Sequence, residues 1–439
     1  MSASLTRTKI PEGGCSGSPV ELPERWQIET LGKIATGFVS GGTPPTKNNE
    51  LWKGNIPWIT SKWLNFKLHL ESGEKFISED ALKQSATTVV PRNNLIFATR
   101  VGVGKVAVNN IDLAINQDLA GVLVDSERHD IRFLAYQLRS DRIQRTVASQ
   151  KRGATIQGIT RDALKELEIY LPPLAEQQKI SRVLGLVQRA MEQQERLIAL
   201  TTELKKALLH QLFSQGLRGE PQKQTEIGSM PESWEVVTLG SMATVGNGST
   251  PKRDNDGYWQ GGTIPWLNSA KIHERFITDA NQFVTDLAVK ECHLPRVKPG
   301  SLLIAITGQG KTLGNTALVS FETCINQHLA YAQFTTSRVV PEFVLWFMQT
   351  RYDHLRSISQ AGGSTKGALT CGYLKTYPVP VPALDEQHEI ANVFAALDRK
   401  EKVHQRKHAA LTALLRTLLH QLMTAQIRVH DLEFRVEQI

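Results

Sequence analysis

ALLHQLF, from Ala207 to Phe213, returns as TLLHQLM from Thr417 to Met423, and its central histidines, His210 and His420, stand 210 residues apart. A five-residue echo carries weight only if the chain around it keeps the same spacing, because duplication carries every motif along with it. The spacing holds. Glu176-Gln177 in PPLAEQQKI recurs as Glu386-Gln387 in PALDEQHEI, and INQDLA from Ile115 recurs as INQHLA from Ile325, both at 210. Nearer each start, Trp26 of LPERW matches Trp234 of MPESW, and IPW from Ile56 returns from Ile264, both at 208. So small a drift makes most of the chain two copies of one module of about 200 residues.

Each copy falls into two unlike parts. The first is rich in Gly, Pro, Thr and short apolar runs such as NLIFATRVGVGKVAV and SLLIAIT, which read as strands of a mixed α/β (α+β) domain. The second, dominated by Glu, Gln, Lys, Arg, Leu and Ala, carries apolar residues at steps of three and four. In the first copy these are Ile180, Leu184, Val187, Met191, Leu204, Leu208 and Leu212; in the second they are Ile390, Phe394, Leu397, Leu411, Leu415, Leu418 and Leu422. Such a stripe is the seam of a coiled coil, and about 40 residues of helix span roughly 60 Å. A helix that long overhangs a domain of about 150 residues, so its stripe needs a second long helix, and the chain supplies one. Gln194, His404 and His408 at inward steps would help fix register. LLHQL is then the last core-facing turn of each helix.

The expected organisation is a tail over 1–21, a first α/β domain over 22–172, a long helix over 173–215, a linker and second α/β domain over 216–382, a second long helix over 383–425, and a tail over 426–439. Two equivalent helices packed antiparallel imply a pseudo-two-fold repeat, with the domains at opposite ends of the pair.

The 51 Lys plus Arg outweigh 43 Asp plus Glu, for a net charge of +8 and a pI near 9.2, which favours a polyanionic partner such as nucleic acid. No run of about 18 apolar residues suggests a membrane span, and MSASLTRTKIPEGG lacks a signal-peptide core. Cys15, Cys292, Cys324 and Cys371 show no C-x-x-C spacing, and the 12 histidines form no H-E-x-x-H, so neither a disulfide framework nor a metal site is expected. A cytoplasmic location fits.

Two α/β domains alternating with two long helices, joined by P-x-L-x-E-Q at Pro172–Gln177 and Pro382–Gln387, resemble the DNA specificity subunit of Type I restriction-modification enzymes. The L-P-x-x-W-x-x-x-x-L-G openings (Leu22–Gly32, with Met230 replacing the leucine in the second copy) and the G-x-T-P loops (Gly41–Pro44, Gly248–Pro251) are similar to that family too. The resemblance implies two target-recognition domains, each reading one half of a split site in double-stranded DNA. It also implies helices that act as spacers and dock two methyltransferase subunits, through which restriction subunits join. The subunit itself would be non-catalytic, with S-adenosylmethionine, ATP and magnesium confined to its partners.

Candidate DNA contacts lie in the glycine-loosened loops. The G-x-T-P loops offer Thr43, Lys47 and Asn48 in the first copy and Thr250, Lys252 and Arg253 in the second; Asn suits adenine, and Lys or Arg suits guanine or phosphate. Lys62, Asn268 and Lys271 follow the IPW pairs. Arg100 and Lys105, with Gln309 and Lys311, occupy the loop after the main apolar run, and Lys151, Arg152 and Lys366 precede the long helices. For each loop the alternative is a solvated turn. Asn116-Gln117 and Asn326-Gln327 read as buried amides that satisfy loop backbone. Ala305–Thr312 fits a relaxed phosphate-loop pattern, which leaves a nucleotide-dependent enzyme as one alternative and a coiled-coil scaffold without DNA specificity as another; Leu313-Gly314-Asn315 makes a poor helix start for the former.

Overall fold

Runs rich in Val, Ile and Leu form strands buried on both faces, and both copies assemble them in the same order. The computed structural model describes residues 22–64, 67–151, 158–308, 311–361 and 369–432. In the first copy a five-stranded sheet runs, edge to edge, Ala35–Ser40, Leu119–Val124, Asn94–Ala98, Val106–Asn109, His69–Leu70. In the second it runs Ala243–Asn247, Leu329–Phe334, Leu302–Ala305, Thr316–Val319, Phe276–Ile277. A smaller sheet holds each IPW strand between its neighbours: Lys75–Ile77, Ile56–Ile59, Leu113–Ile115 and Thr88–Val90 in the first copy. The second copy keeps three of these strands and reduces the fourth to a bridge between Val297 and Thr323.

A two-stranded ribbon joins the opening of each module to its end, Gln27–Thr30 with Glu168–Leu171 and Glu235–Thr238 with Pro378–Val381. Pro378 and Pro380 cannot donate to a ladder, which a strand with one neighbour tolerates. The ribbon delivers the chain to the long helix, and there the Glu-Gln pair does its structural work. Buried Gln177 accepts the N–H of Asp130 and donates to Pro172 O, while Gln387 accepts the N–H of Val340 and donates to Pro382 O. Each thereby ties the first turn of a long helix to the helix that covers the sheet, Ile131–Arg139 or Pro341–Thr350. Glu386 accepts from Trp234 Nε1 at 3.2 Å and Leu217 N at 2.8 Å, whereas Glu176 takes a two-pronged bond from Arg428 at 2.9 and 3.0 Å.

Contacts divide the chain into two compact units, one drawn from Met1–Gln194 and Lys407–Ile439, the other Glu195–Arg406. Each unit is one mixed α/β domain with half of each long helix, Leu174–Gln215 (42 residues) and Leu384–Met423 (40 residues). In the first unit Ile180, Val183 and Leu184 share a core with Leu418, Leu422 and Met423 beneath Phe133, Leu134 and Tyr136. In the second, Leu212 and Phe213 share a core with Ile390 and Phe394 beneath Phe343 and Trp346, the Phe213 and Phe394 rings stacking at 6.2 Å. Within each unit the start of one helix meets the end of the other, so the pairing is antiparallel.

The seam departs from the expected stripe in one place. Leu204 is turned to solvent, 49% exposed, and Lys205 takes the inward position at 8%. Its ammonium reaches Asp398 at 3.0 Å and Glu401 at 2.5 Å, and Arg275 closes on the other oxygen of Asp398. Pairing by these charges, supplied by distant parts of the sequence, outweighs the burial of one leucine. Val187, Leu208, Leu397 and Leu415 pack at the rims of the two cores; Met191 and Leu411 are half-buried.

Candidate nucleic-acid interface

Four chain segments converge at one end of the main sheet in each unit, and backbone sterics dictate how. Gly41 and Gly248 lie directly against the carbonyls of Ile115 and Ile325, where an added Cβ would overlap the oxygen. The residues that follow, Gly42 and Ser249, donate to those same carbonyls at 3.0 and 3.1 Å. Buried Trp58 and Trp266 of the IPW strands then donate from Nε1 to Gly42 O and Ser249 O, both at 3.2 Å. This fixes the G-x-T-P loop against the I-N-Q loop. Thr43 Oγ1 donates to Gln117 Oε1 at 2.5 Å, and Thr250 makes the matching bond to Gln327.

Buried Asn116 and Asn326 turn each I-N-Q loop by accepting the N–H two residues on, from Asp118 and His328. For these asparagines the expected loop-satisfying role fits. Gln117 and Gln327 differ from expectation: they lie just beyond the strands, exposed, with their oxygens held by threonine, and the amide nitrogen of Gln327 meets His328 Nε2 at 3.3 Å. Sequence reasoning passed over them because apolar neighbours suggested burial; their recurrence behind both G-x-T-P loops was the available signal. The third segment follows Ala98 and Ala305, and the fourth is tied to it where Ile159 N donates to Thr99 O and Leu369 N to Ile306 O.

Other candidates fall in varied settings. Arg100 and Lys105 are exposed on the hairpin loop after Ala98, where Gly102 and Gly104 adopt positive φ, +70° and +94°, that side chains resist. Lys311 is exposed on the longer counterpart, whose Gly314 N closes back on Ala305 O; a strand, not a helix, follows, so among the described residues no helix opens after this loop to offer its amides to a phosphate. That removes the structural basis for a nucleotide-dependent enzyme. Lys47 and Lys62 are exposed, and Asn48 and Asn268 are engaged in capping Glu50 N and Ala270 N. Lys252 O accepts from Trp259 Nε1, and Arg253 stacks over Trp259 at 4.0 Å and Trp266 at 4.9 Å while bonding Gln282, an orientation that pins it to its own domain. Lys271 is ion-paired within its own unit: Asp279 and Glu274 hold its charge, raise its pKa and leave its side chain 12% exposed. Lys151 is exposed; Arg152, Gln309 and Lys366 lie outside the described residues.

Burial pushes the thiol of Cys324, at the base of the second I-N-Q loop, up to about 11, so it is a poor nucleophile at neutral pH. Among the described residues no group of three or more His, Cys, Asp or Glu converges as a metal site, and no helix is long and apolar enough to cross a membrane. Exposed donors on rigid loops suit phosphates and base edges. Replacing Lys105 or Lys311 by alanine should weaken binding to all duplexes alike and lower the slope of log affinity against log salt by about 0.9; a changed preference at one base would refute the phosphate role.

Comparison with known proteins agrees with this geometry. The model of the Type I restriction modification DNA specificity domain matches residues 23–202 and again 231–413. The chain is similar to the MjaIX specificity subunit of a Type I restriction enzyme of Methanocaldococcus jannaschii, with 25% identity over 427 residues, covering 94% of this chain and 96% of that one. It is also similar to the MjaVIII specificity subunit of the same organism, with 21% identity over 437 residues, covering 94% and 96%. Its fold is like that of a Type I system S subunit from M. genitalium, with a TM-score of 0.59, 18% identity, and 90% and 96% of the two chains covered. A chain from a structure of the type I R-M system gives a TM-score of 0.56 at 19% identity, covering 93% and 100%.

Proposed function

The chain belongs to the Type I restriction modification DNA specificity family, and from that premise we propose that it is the sequence-reading subunit of a Type I restriction-modification complex. Each α/β domain reads one half of an asymmetric, split target in double-stranded DNA, and the long helices set the spacer. The observation that carries this reading is the loop cluster built twice on one frame. Gly41 and Gly248, Thr43 and Thr250, Gln117 and Gln327 repeat, while neighbours such as Ser40 against Asn247 and Asp118 against His328 differ, as expected of two readers with different targets. A scaffold needs no such cluster.

The chain works without a cofactor of its own. S-adenosylmethionine, ATP and magnesium belong to partners, and the complex assembles in the cytoplasm from two methyltransferase subunits and, through them, restriction subunits. Leu197, Leu200 and Leu204, exposed at spacings of three and four on the first long helix, support that helix as a docking face.

Mobility shift with co-expressed methyltransferase subunits, followed by sequencing of methylated adenines in the host genome, should return one split, non-palindromic motif. The purified chain alone should neither cut nor methylate DNA. Methyl transfer from S-adenosylmethionine by the isolated chain would end the subunit reading.

A further inference from the structure

In the first unit the four converging segments enclose a cleft of about 480 Å³ lined by Ser40, Thr99, Arg100, Gln117, Thr160 and Arg161 among others. Three of its side chains, those of Arg100, Gln117 and Arg161, carry N–H donors. Arg161 opens the short helix Arg161–Lys165, capped by Thr160, and its guanidinium donates to Ser40 Oγ, which aims it across the cleft. Arg100 is exposed, its backbone N–H tied to Asp118 O at 3.4 Å, and among the described residues no hydrogen bond or ion pair engages its guanidinium. Gln117 has its oxygen held by Thr43, leaving its NH₂ available, and the nearby Asp118 carboxylate is turned to Asn116 Nδ2 at 3.1 Å. A ligand that fills this cleft must present acceptors.

The second unit supplies a built-in comparison. Ser40 pairs with Ala120 where Asn247 pairs with Ala330; Arg100 follows Ala98 by two residues as Thr307 follows Ala305; Arg161 and Cys371 each open a short helix behind a threonine cap. The counterpart of Asp118 is His328, whose Nδ1 meets Thr307 Oγ1. Around these four differing positions the frame of Gly, Thr, Gln and Trp is the same. Phosphates recur at the same spacing in every duplex, so groups that hold phosphate have reason to repeat between two copies. Groups that read bases have reason to differ when the half-sites differ.

We propose, resting on the sequence-reading function above, that this cleft reads a guanine in the half-site of the first unit. Arg161, positioned by Ser40, is the principal reader of the O6 and N7 acceptors and Arg100 is a second donor; the second unit, with Asn247, Thr307, His328 and Cys371, does not read guanine at the equivalent position. Guanidinium donation to O6 and N7 is the pairing that the major groove favours for guanine.

The test uses the full chain assembled with its methyltransferase subunits and a duplex library randomised in both half-sites. The substitutions are Arg161→Cys and Arg100→Thr, singly and together; they install what the second unit already carries on the same frame. Wild type should select a guanine at one position of one half-site. Arg161→Cys should reduce that preference by about 5- to 100-fold at that position alone, Arg100→Thr by less, with the other half-site unchanged. A wild-type motif with no guanine selected in either half, an unchanged preference in Arg161→Cys, uniform weakening with a shallower salt dependence, or loss of all binding by a variant whose circular dichroism matches wild type would each overturn the proposal while leaving the split-site reading intact. Equal wild-type binding to every duplex would instead remove both.

Discussion

Lys205→Met is expected to lose about 3–5 kcal/mol of folding stability, read as a lowered urea midpoint at unchanged slope. The Lys205 side chain is 10% exposed, as is that of Asp398, and that of Glu401 is 18%. Removing the ammonium leaves two carboxylates close together in a half-dry seam with Arg275 as their remaining cation, itself stacked 4.6 Å over Trp346. Exposed ion pairs contribute about 0–1 kcal/mol, so a loss below 1 kcal/mol would mean that water reaches the cluster. The first unit shows what replaces it. At a spacing of 210 the counterparts of Lys205, Asp398 and Glu401 are Leu415, Gln188 and Met191, and Gln188 accepts from Tyr136 at 3.2 Å. The triple change Lys205→Leu, Asp398→Gln, Glu401→Met should therefore recover much of the loss, since an apolar or neutral seam is often as stable as a buried ion cluster.

That cluster also marks where the sequence stops being legible. The duplication, the mixed α/β domains, the two long helices and their seam could be read from spacing, because period and repeat are local or internal properties. Leu204 could not be placed, since Leu200, Leu204 and Leu208 make as good a stripe as Thr201, Lys205 and Leu208; the choice is made by Asp398 and Glu401, nearly 200 residues away in sequence. The candidate interface divides the same way. Thr43 and Thr250 stood out through their loop motif, but Arg161 carries no motif and enters only because Ile159 bonds to Thr99 and brings it beside Arg100. Lys271 looked free in sequence, and Asp279, eight residues on, neutralises it by a turn that no pattern announced.

Removing one heptad from each long helix, residues 192–198 and 404–410, should abolish binding to the native target while the unit cores survive. Seven residues keep the apolar stripe in phase on both sides of each deletion, and the chosen segments spare the Lys205 cluster and the core positions Ile180, Leu184, Leu212, Ile390, Phe394, Leu418 and Leu422. Each helix loses about 10 Å, close to three base-pair steps of a duplex that repeats every 34–36 Å. Three steps also rotate a half-site by roughly 100° around the duplex axis, since about ten steps make a turn. A shorter ruler therefore has two outcomes in the proposed function. Either the half-site sequences persist with a spacer about three base pairs shorter, or the second half faces away and affinity falls to the level of nonspecific binding, roughly 10³-fold or more below the specific value. Selection from a library of duplexes with fixed half-sites and spacers of varied length separates the two. Undiminished affinity for the original site at the original spacing would show that the helices do not set the distance, and the half-sites would have to be measured by contacts within the two units themselves.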